Sequence, residues 1–153
     1  IAVRKNGQLI TKKRAAHLKH HPGQIAFAGG RRDDTDHDLT HTALREAEEE
    51  IGLNRRVATI LGRLPYHDTI TNYSITPIIA MVPSDLTFKL EPGEVEEAFT
   101  VPLRHVLTLA NYRIEGRHWR GQKRYYYTVP YGPYYIWGAT ARILRAMAEA
   151  VVE

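Results

Sequence analysis

The segment REAEEEIGL, residues 45–53, sets Glu46, Glu49 and Glu50 at spacings of three and four. On a helix, at about 100° per residue, these three share one face and Glu48 points elsewhere. Leu44, Ala47 and Ile51 recur at i, i+3 and i+7 as a core-facing stripe. Asp38 or Thr40 suits the start, and Gly52 suits the left-handed position after the last turn. The spacing therefore predicts a helix over 40–51. Like charges at this spacing repel by a few tenths of a kcal/mol per pair, and anions near a helix C-terminus oppose its dipole. A solvated acidic face is the plainest account of such a run. The sharper account is a divalent cation, because a cluster of hard oxygen ligands suits Mg²⁺ or Mn²⁺. Arg45, one turn before Glu49, is placed to orient that carboxylate.

The rest of the chain reads as α/β. QLI and GQIAFAGG look like strands, the second ending in a Gly-Gly turn, followed after the helix by RVATILGRL, SITPIIAMV and EAFTVPL. A tyrosine-rich strand pair surrounds HWRGQKRYYYTV. A final helix over 139–152 carries Ile143, Leu144, Met147 and Val151 on one stripe. The 153 residues suit a single domain, 1–153. The chain opens on Ile1 instead of Met, so an N-terminal piece is expected to be missing.

The absence of cysteine excludes disulfides, thiolate metal sites and cysteine nucleophiles, and fits a cytoplasmic location. No run approaches the ~20 apolar residues of a membrane span. The net charge of +4 favours an anionic partner. The basic residues look scattered, including Lys12, Arg55, Arg117, Arg120, Lys123 and Arg124, which argues against a dedicated nucleic-acid surface. His17, His20, His21, His37 and His41 fall in no recognised ligand spacing.

Gly29-Gly30, the acidic loop after them and REAEEEIGL together resemble the Nudix box, G-x5-E-x7-R-E-U-x-E-E-x-G-U with U aliphatic. The resemblance implies a Nudix-type α/β/α sandwich with a mixed β-sheet between helices. It implies Glu46, Glu49 and Glu50 as metal ligands, the Gly30 carbonyl as a further ligand, and catalytic roles for Glu49 and for Arg45 as the orienting residue. One departure stands out: Asp36 occupies the place of the first box glutamate, and the interval to Arg45 is one residue longer.

The preceding stretch LITKKRAAHLKHHPGQIAFAGG, residues 9–30, is similar to a segment of the coenzyme A pyrophosphatases within that superfamily. Ala28 stands where that family usually has proline. This narrower resemblance implies hydrolysis of coenzyme A or acyl-coenzyme A to 3′,5′-ADP and (acyl-)4′-phosphopantetheine. Lys13, Arg14, Lys19, His21, Arg31 and Arg32 would receive the phosphates. Glu94, in EPGEVEE, is the outside carboxylate that resemblance offers as general base, with Glu96 and Glu97 as rivals. Other diphosphates such as ADP-ribose or NADH, and a non-catalytic nucleotide-binding module, are the alternative readings. A homodimer stays open. The tyrosines around 125–135, with Trp119 and Trp137, offer either core packing or a stacking surface for adenine.

Overall fold

The structure is a computed structural model and describes residues 1–151, so the last residue expected in the final helix, Val152, lies outside the described residues. In chain order the elements are β1 (Ala2–Arg4), β2 (Gln8–Arg14), β3 (Ile25–Ala26), α1 (Leu39–Ile51), β4 (Thr59–Arg63), β5 (His67–Asp68), β6 (Ser74–Ile75) and β7 (Ile78–Val82). Then follow β8 (Val95–Pro102), α2 (Leu103–Leu107), β9 (Arg113–Trp119), β10 (Gln122–Thr128) and α3 (Gly138–Val151).

Strand β2 organises the main sheet. Along one edge it runs antiparallel to β8, from Gln8↔Pro102 to Arg14↔Val95. Its other edge is divided, with Leu9 and Ile10 paired to β1 and Lys12 and Lys13 paired to β3. Strand β1 continues parallel to β7, and β7 pairs antiparallel with β4. The sheet is therefore mixed.

Alternation along β2 divides the core into two layers. Leu9 enters a cluster with Phe99, Val101, Ile136, Leu144 and Met147, on the side that α3 covers. Ile10 enters the opposite cluster with Ala47, Ile51, Leu53 and Val82, on the side that α1 covers. The expected α/β/α sandwich is what forms. Each fully buried aliphatic side chain contributes about 1.5–3 kcal/mol.

Helix α1 is capped by Asp38, whose Oδ1 accepts from the His41 N–H at 2.8 Å. Gly52 ends it at φ +76°, and a Cβ there would lie 2.7 Å from the Lys89 Cβ. Both the backbone conformation and the packing demand glycine.

Several expectations need correction. The expected strand SITPIIAMV is broken at Pro77: β6 joins β5 in a small hairpin and only β7 enters the main sheet. RVATILGRL begins with a 3-10 turn at Arg55–Val57 before the exposed edge strand β4. Strand β1 and helix α2 were not expected, being too short to show a period. In α3, Ile143, Leu144 and Met147 are buried as expected, but Val151 in the last turn is exposed. Strands β9 and β10 pair with each other apart from the main sheet, and Thr128 at the end of β10 bridges Trp137.

Candidate active site

Residues 27–30 lead out of β3 and come to rest on the acidic stripe of α1. The Gly29 N–H donates to Glu50 Oε1 at 2.9 Å. A Cβ placed on Gly30 would lie 2.5 Å from Glu46 Oε1, so a side chain there would push that carboxylate from its place beside the backbone.

Asp36 and Arg45 hold this arrangement. Arg45 Nε donates to Asp36 Oδ1 at 2.9 Å and Nη2 to Oδ2 at 3.0 Å, a bidentate pair. Asp36 also accepts from the Asp33 N–H and the Thr42 hydroxyl, and it is buried. The Arg45 hydrogen bond holds its carboxyl far below the usual carboxylate range, and Asp36 in turn raises Arg45. The remaining Arg45 donors reach Glu46 Oε1 at 3.2 Å, Glu49 Oε2 at 3.4 Å and the Arg31 carbonyl at 3.1 Å. One guanidinium thus ties loop, helix and stripe together.

The three stripe glutamates differ in their surroundings. Glu49 is exposed. Glu46 is half-buried, and burial followed by repulsion from Glu50 raises its pKa. Glu50 is buried and closes an ion pair with Lys12, itself only 2% exposed on β2. Among the described residues no three carboxylate or imidazole groups gather tightly enough to hold an ion. The expected convergence is corrected in that respect: Glu46 and Glu49 turn to Arg45, and Glu50 turns to Lys12 and Gly29. The donor chemistry nonetheless fits a hard divalent cation, which would relieve Glu46, partly desolvated and repelled by Glu50 and Glu49.

Sequence reading missed Lys12 because a buried lysine runs against its type. The available signal was alternation, which sets Lys12 on the same face of β2 as Ile10, toward α1. Lys13 falls on the opposite face and pairs with Glu96 at 3.1 Å. Arg14 donates to the His20 carbonyl, and Arg32 to the carbonyls of Asp36 and His37. Arg31 lies over the Tyr73 ring and donates to its hydroxyl at 3.3 Å, bringing the β5–β6 hairpin to the loop after Gly30. Lys19 is exposed, as is His21, which takes a positive φ of 50°.

The loop that carries Glu94 is tied to the end of α1. The Lys89 N–H donates to the Ile51 carbonyl and the Glu91 N–H to the Glu50 carbonyl. The Glu94 carbonyl accepts from the Ala15 N–H. Its rivals are engaged, Glu96 with Lys13 and Glu97 with the Tyr134 hydroxyl.

Comparison with known proteins agrees with this geometry. Residues 1–122 match the family described as the NUDIX domain. The chain is 39% identical over 145 residues to the uncharacterized Nudix hydrolase NudL of Cronobacter sakazakii, covering 95% of this chain and 76% of the relative. To NudL of Escherichia coli O1:K1 it is 38% identical over 140 residues, covering 92% of this chain and 73% of the relative. Among solved structures, a C. elegans Ap4A hydrolase binary complex superposes with a TM-score of 0.58 at 16% identity, over 68% of this chain and 77% of that one. The Nudix hydrolase RenU of M. smegmatis gives 0.56 at 23% identity, over 69% and 67%. These two likenesses concern the fold. No helix among the described residues is long and apolar enough to cross a membrane. With the family match over most of its length, and with loop, guanidinium and acidic helix assembled as the motif requires, the chain belongs to the Nudix hydrolase family.

Proposed function

We propose that this Nudix hydrolase cleaves the diphosphate of coenzyme A or an acyl-coenzyme A to 3′,5′-ADP and (acyl-)4′-phosphopantetheine. The observation that carries this reading is where the segment 9–30 lies. Its two ends run side by side as β2 and β3 and finish with Gly29 and Gly30 on the carboxylate stripe. The residues that resemble the coenzyme A pyrophosphatases therefore border the chemistry.

Glu46, Glu49 and Glu50, with the Gly30 carbonyl, would hold Mg²⁺ or Mn²⁺. Such an ion, when bound, neutralises charge developing on the non-bridging oxygens and lowers the pKa of attacking water. Arg45 positions Glu46 and Glu49 through its anchor on Asp36. Glu94, exposed on the loop that Lys89 and Glu91 tie to the end of α1, takes the proton from the attacking water through its carboxylate. Arg31 and Arg32, directly after Gly30, face the diphosphate, with Lys13, Arg14, Lys19 and His21 as the further basic groups available to the substrate. The whole of 1–153 acts as one domain in a cytoplasmic setting.

A hydrolysis panel of coenzyme A, acyl-coenzyme A, ADP-ribose and NADH, each with Mg²⁺ and with Mn²⁺, tests the proposal. Preferential turnover of the coenzyme A compounds is expected. Faster turnover of ADP-ribose would overturn the substrate, and no hydrolysis of any compound would favour a nucleotide-binding module.

A further inference from the structure

The basic residues that look scattered along the chain are concentrated by the β9–β10 hairpin. Residues 113–128 hold Arg113, Arg117, Arg120, Lys123 and Arg124 against a single carboxylate, Glu115. Their net +4 equals the charge of the whole chain, so the remainder is balanced. All five cations are exposed, and none makes an ion pair among the described residues. Arg117 and Arg124 even stand directly opposite each other in the ladder, an arrangement of like charges that costs stability.

These cations are interleaved with rings. Register places Arg117, Trp119, Arg124 and Tyr126 on one face of the hairpin. Arg117 lies 5.0 Å over Trp137, and Tyr126 meets the same ring edge-on at 5.0 Å. Arg120 and Arg124 lie over Trp119 at 4.4 and 5.8 Å. On the other face Lys123 lies over the exposed Tyr125 at 5.6 Å. A two-stranded ribbon has little core of its own, and this one leaves both faces largely open to solvent.

We propose that the β9–β10 hairpin binds single-stranded RNA, independently of the diphosphate hydrolysis. A strand's phosphates supply the carboxylate-free arginines with anions. Its bases stack on the ring faces that Arg120 and Arg124 uncover when they turn to phosphate. Gln122 stands directly opposite Trp119, so a ribose whose base stacks there meets an amide able to donate to and accept from its 2′-hydroxyl. An acidic peptide offers the charge without the planar bases, and a duplex keeps its bases stacked internally.

Trp119 and Trp137 are the chain's only two tryptophans, so tryptophan emission, excited beyond the absorption of the nine tyrosines, reports on this face. Titration of the full chain with a short oligouridylate is expected to quench that fluorescence and to weaken steeply with salt. Arg117→Ser with Arg124→Ser, both exposed and therefore compatible with folding, is expected to lower affinity at least ~10-fold and to flatten the salt slope by about 1.4. Trp119→Ala, followed by anisotropy of a labelled strand, is expected to cost about 5- to 150-fold. Oligothymidylate, duplex RNA, polyglutamate and phosphatidylglycerol vesicles are run in parallel. Equal binding of oligothymidylate would overturn the choice of RNA. Equal binding of duplex, polyglutamate or vesicles, an absence of quenching, or unchanged affinity in the double arginine variant would overturn the site.

Discussion

Lys12 of β2 and Glu50 of α1 close an ion pair in the interior, with both side chains buried and the Gly29 N–H completing the carboxylate's partners. The pair joins sheet to helix at the point where the loop after β3 arrives. Replacing Lys12 alone leaves the buried Glu50 charge with no countercharge, held only by the Gly29 N–H. Lys12→Met is expected to cost about 3–5 kcal/mol. Lys12→Met with Glu50→Gln should recover much of that loss, because no buried charge remains. Urea unfolding of the two variants checks this, and a double variant no more stable than the single one would contradict it.

Glu49→Gln is expected to lower kcat by about 100-fold or more, a transition-state loss of at least ~2.7 kcal/mol, with Tm nearly unchanged because Glu49 is exposed. Glu48→Gln is the control. Glu48 pairs with Arg55 at 2.8 Å away from the stripe, an exposed pair whose loss should barely change stability and leave the rate intact. Steady-state rates on the preferred diphosphate separate the two.

Gly29 and Gly30 adjoin in sequence but differ in what they tolerate. A Cβ at Gly30 collides with the Glu46 carboxylate, whereas a Cβ at Gly29 meets nothing within 4 Å. Gly30→Ala should therefore displace Glu46 and cut kcat/KM sharply, and Gly29→Ala should stay near wild type. Comparable rates in the two variants would remove the close approach as a requirement of the site.

Asp36 supplies a pH dependence of known sign. Its folded-state pKa is depressed, chiefly by the Arg45 hydrogen bond, so its contribution to stability is fully present above the unfolded value of ~3.9. That contribution is lost as pH falls through the depressed folded value. Chemical denaturation from pH ~7 down to ~2 should show stability falling below about pH 4. Asp36→Asn is expected to be less stable at neutral pH and to flatten that acid limb.

Helix α1 was legible because pattern, cap and stop agree: the core stripe, Asp38 and Gly52 all point to one element. The hairpin of β9 and β10 was legible from its β-prone residues, but its isolation from the main sheet was not, since pairing partners are long-range facts. Strand β1 is three residues long and acquires its identity only from β2 and β7. At the site, residue order exposed the acidic stripe and Arg45. It did not reveal which carboxylates engage neighbours: Lys12 for Glu50, Lys13 for Glu96 and Tyr134 for Glu97 become visible only when strands are laid side by side.

The last carbonyls of α1 are met by N–H groups of the loop at Lys89 and Glu91, and the loop also touches the empty side of Gly52. The loop's position is therefore measured from the end of the helix, and the turn that carries Glu94 is closed on Glu91 by the Glu94 and Val95 N–H groups and on Ala15 by the Glu94 carbonyl. A change of length between Glu91 and Val95 would break the turn that aims Glu94, while the bonds of Lys89 and Glu91 to the helix end stay in place. A side chain at position 52, in contrast, dislodges both at once. The helix end thus serves as the fixed point from which the outer acid is aimed.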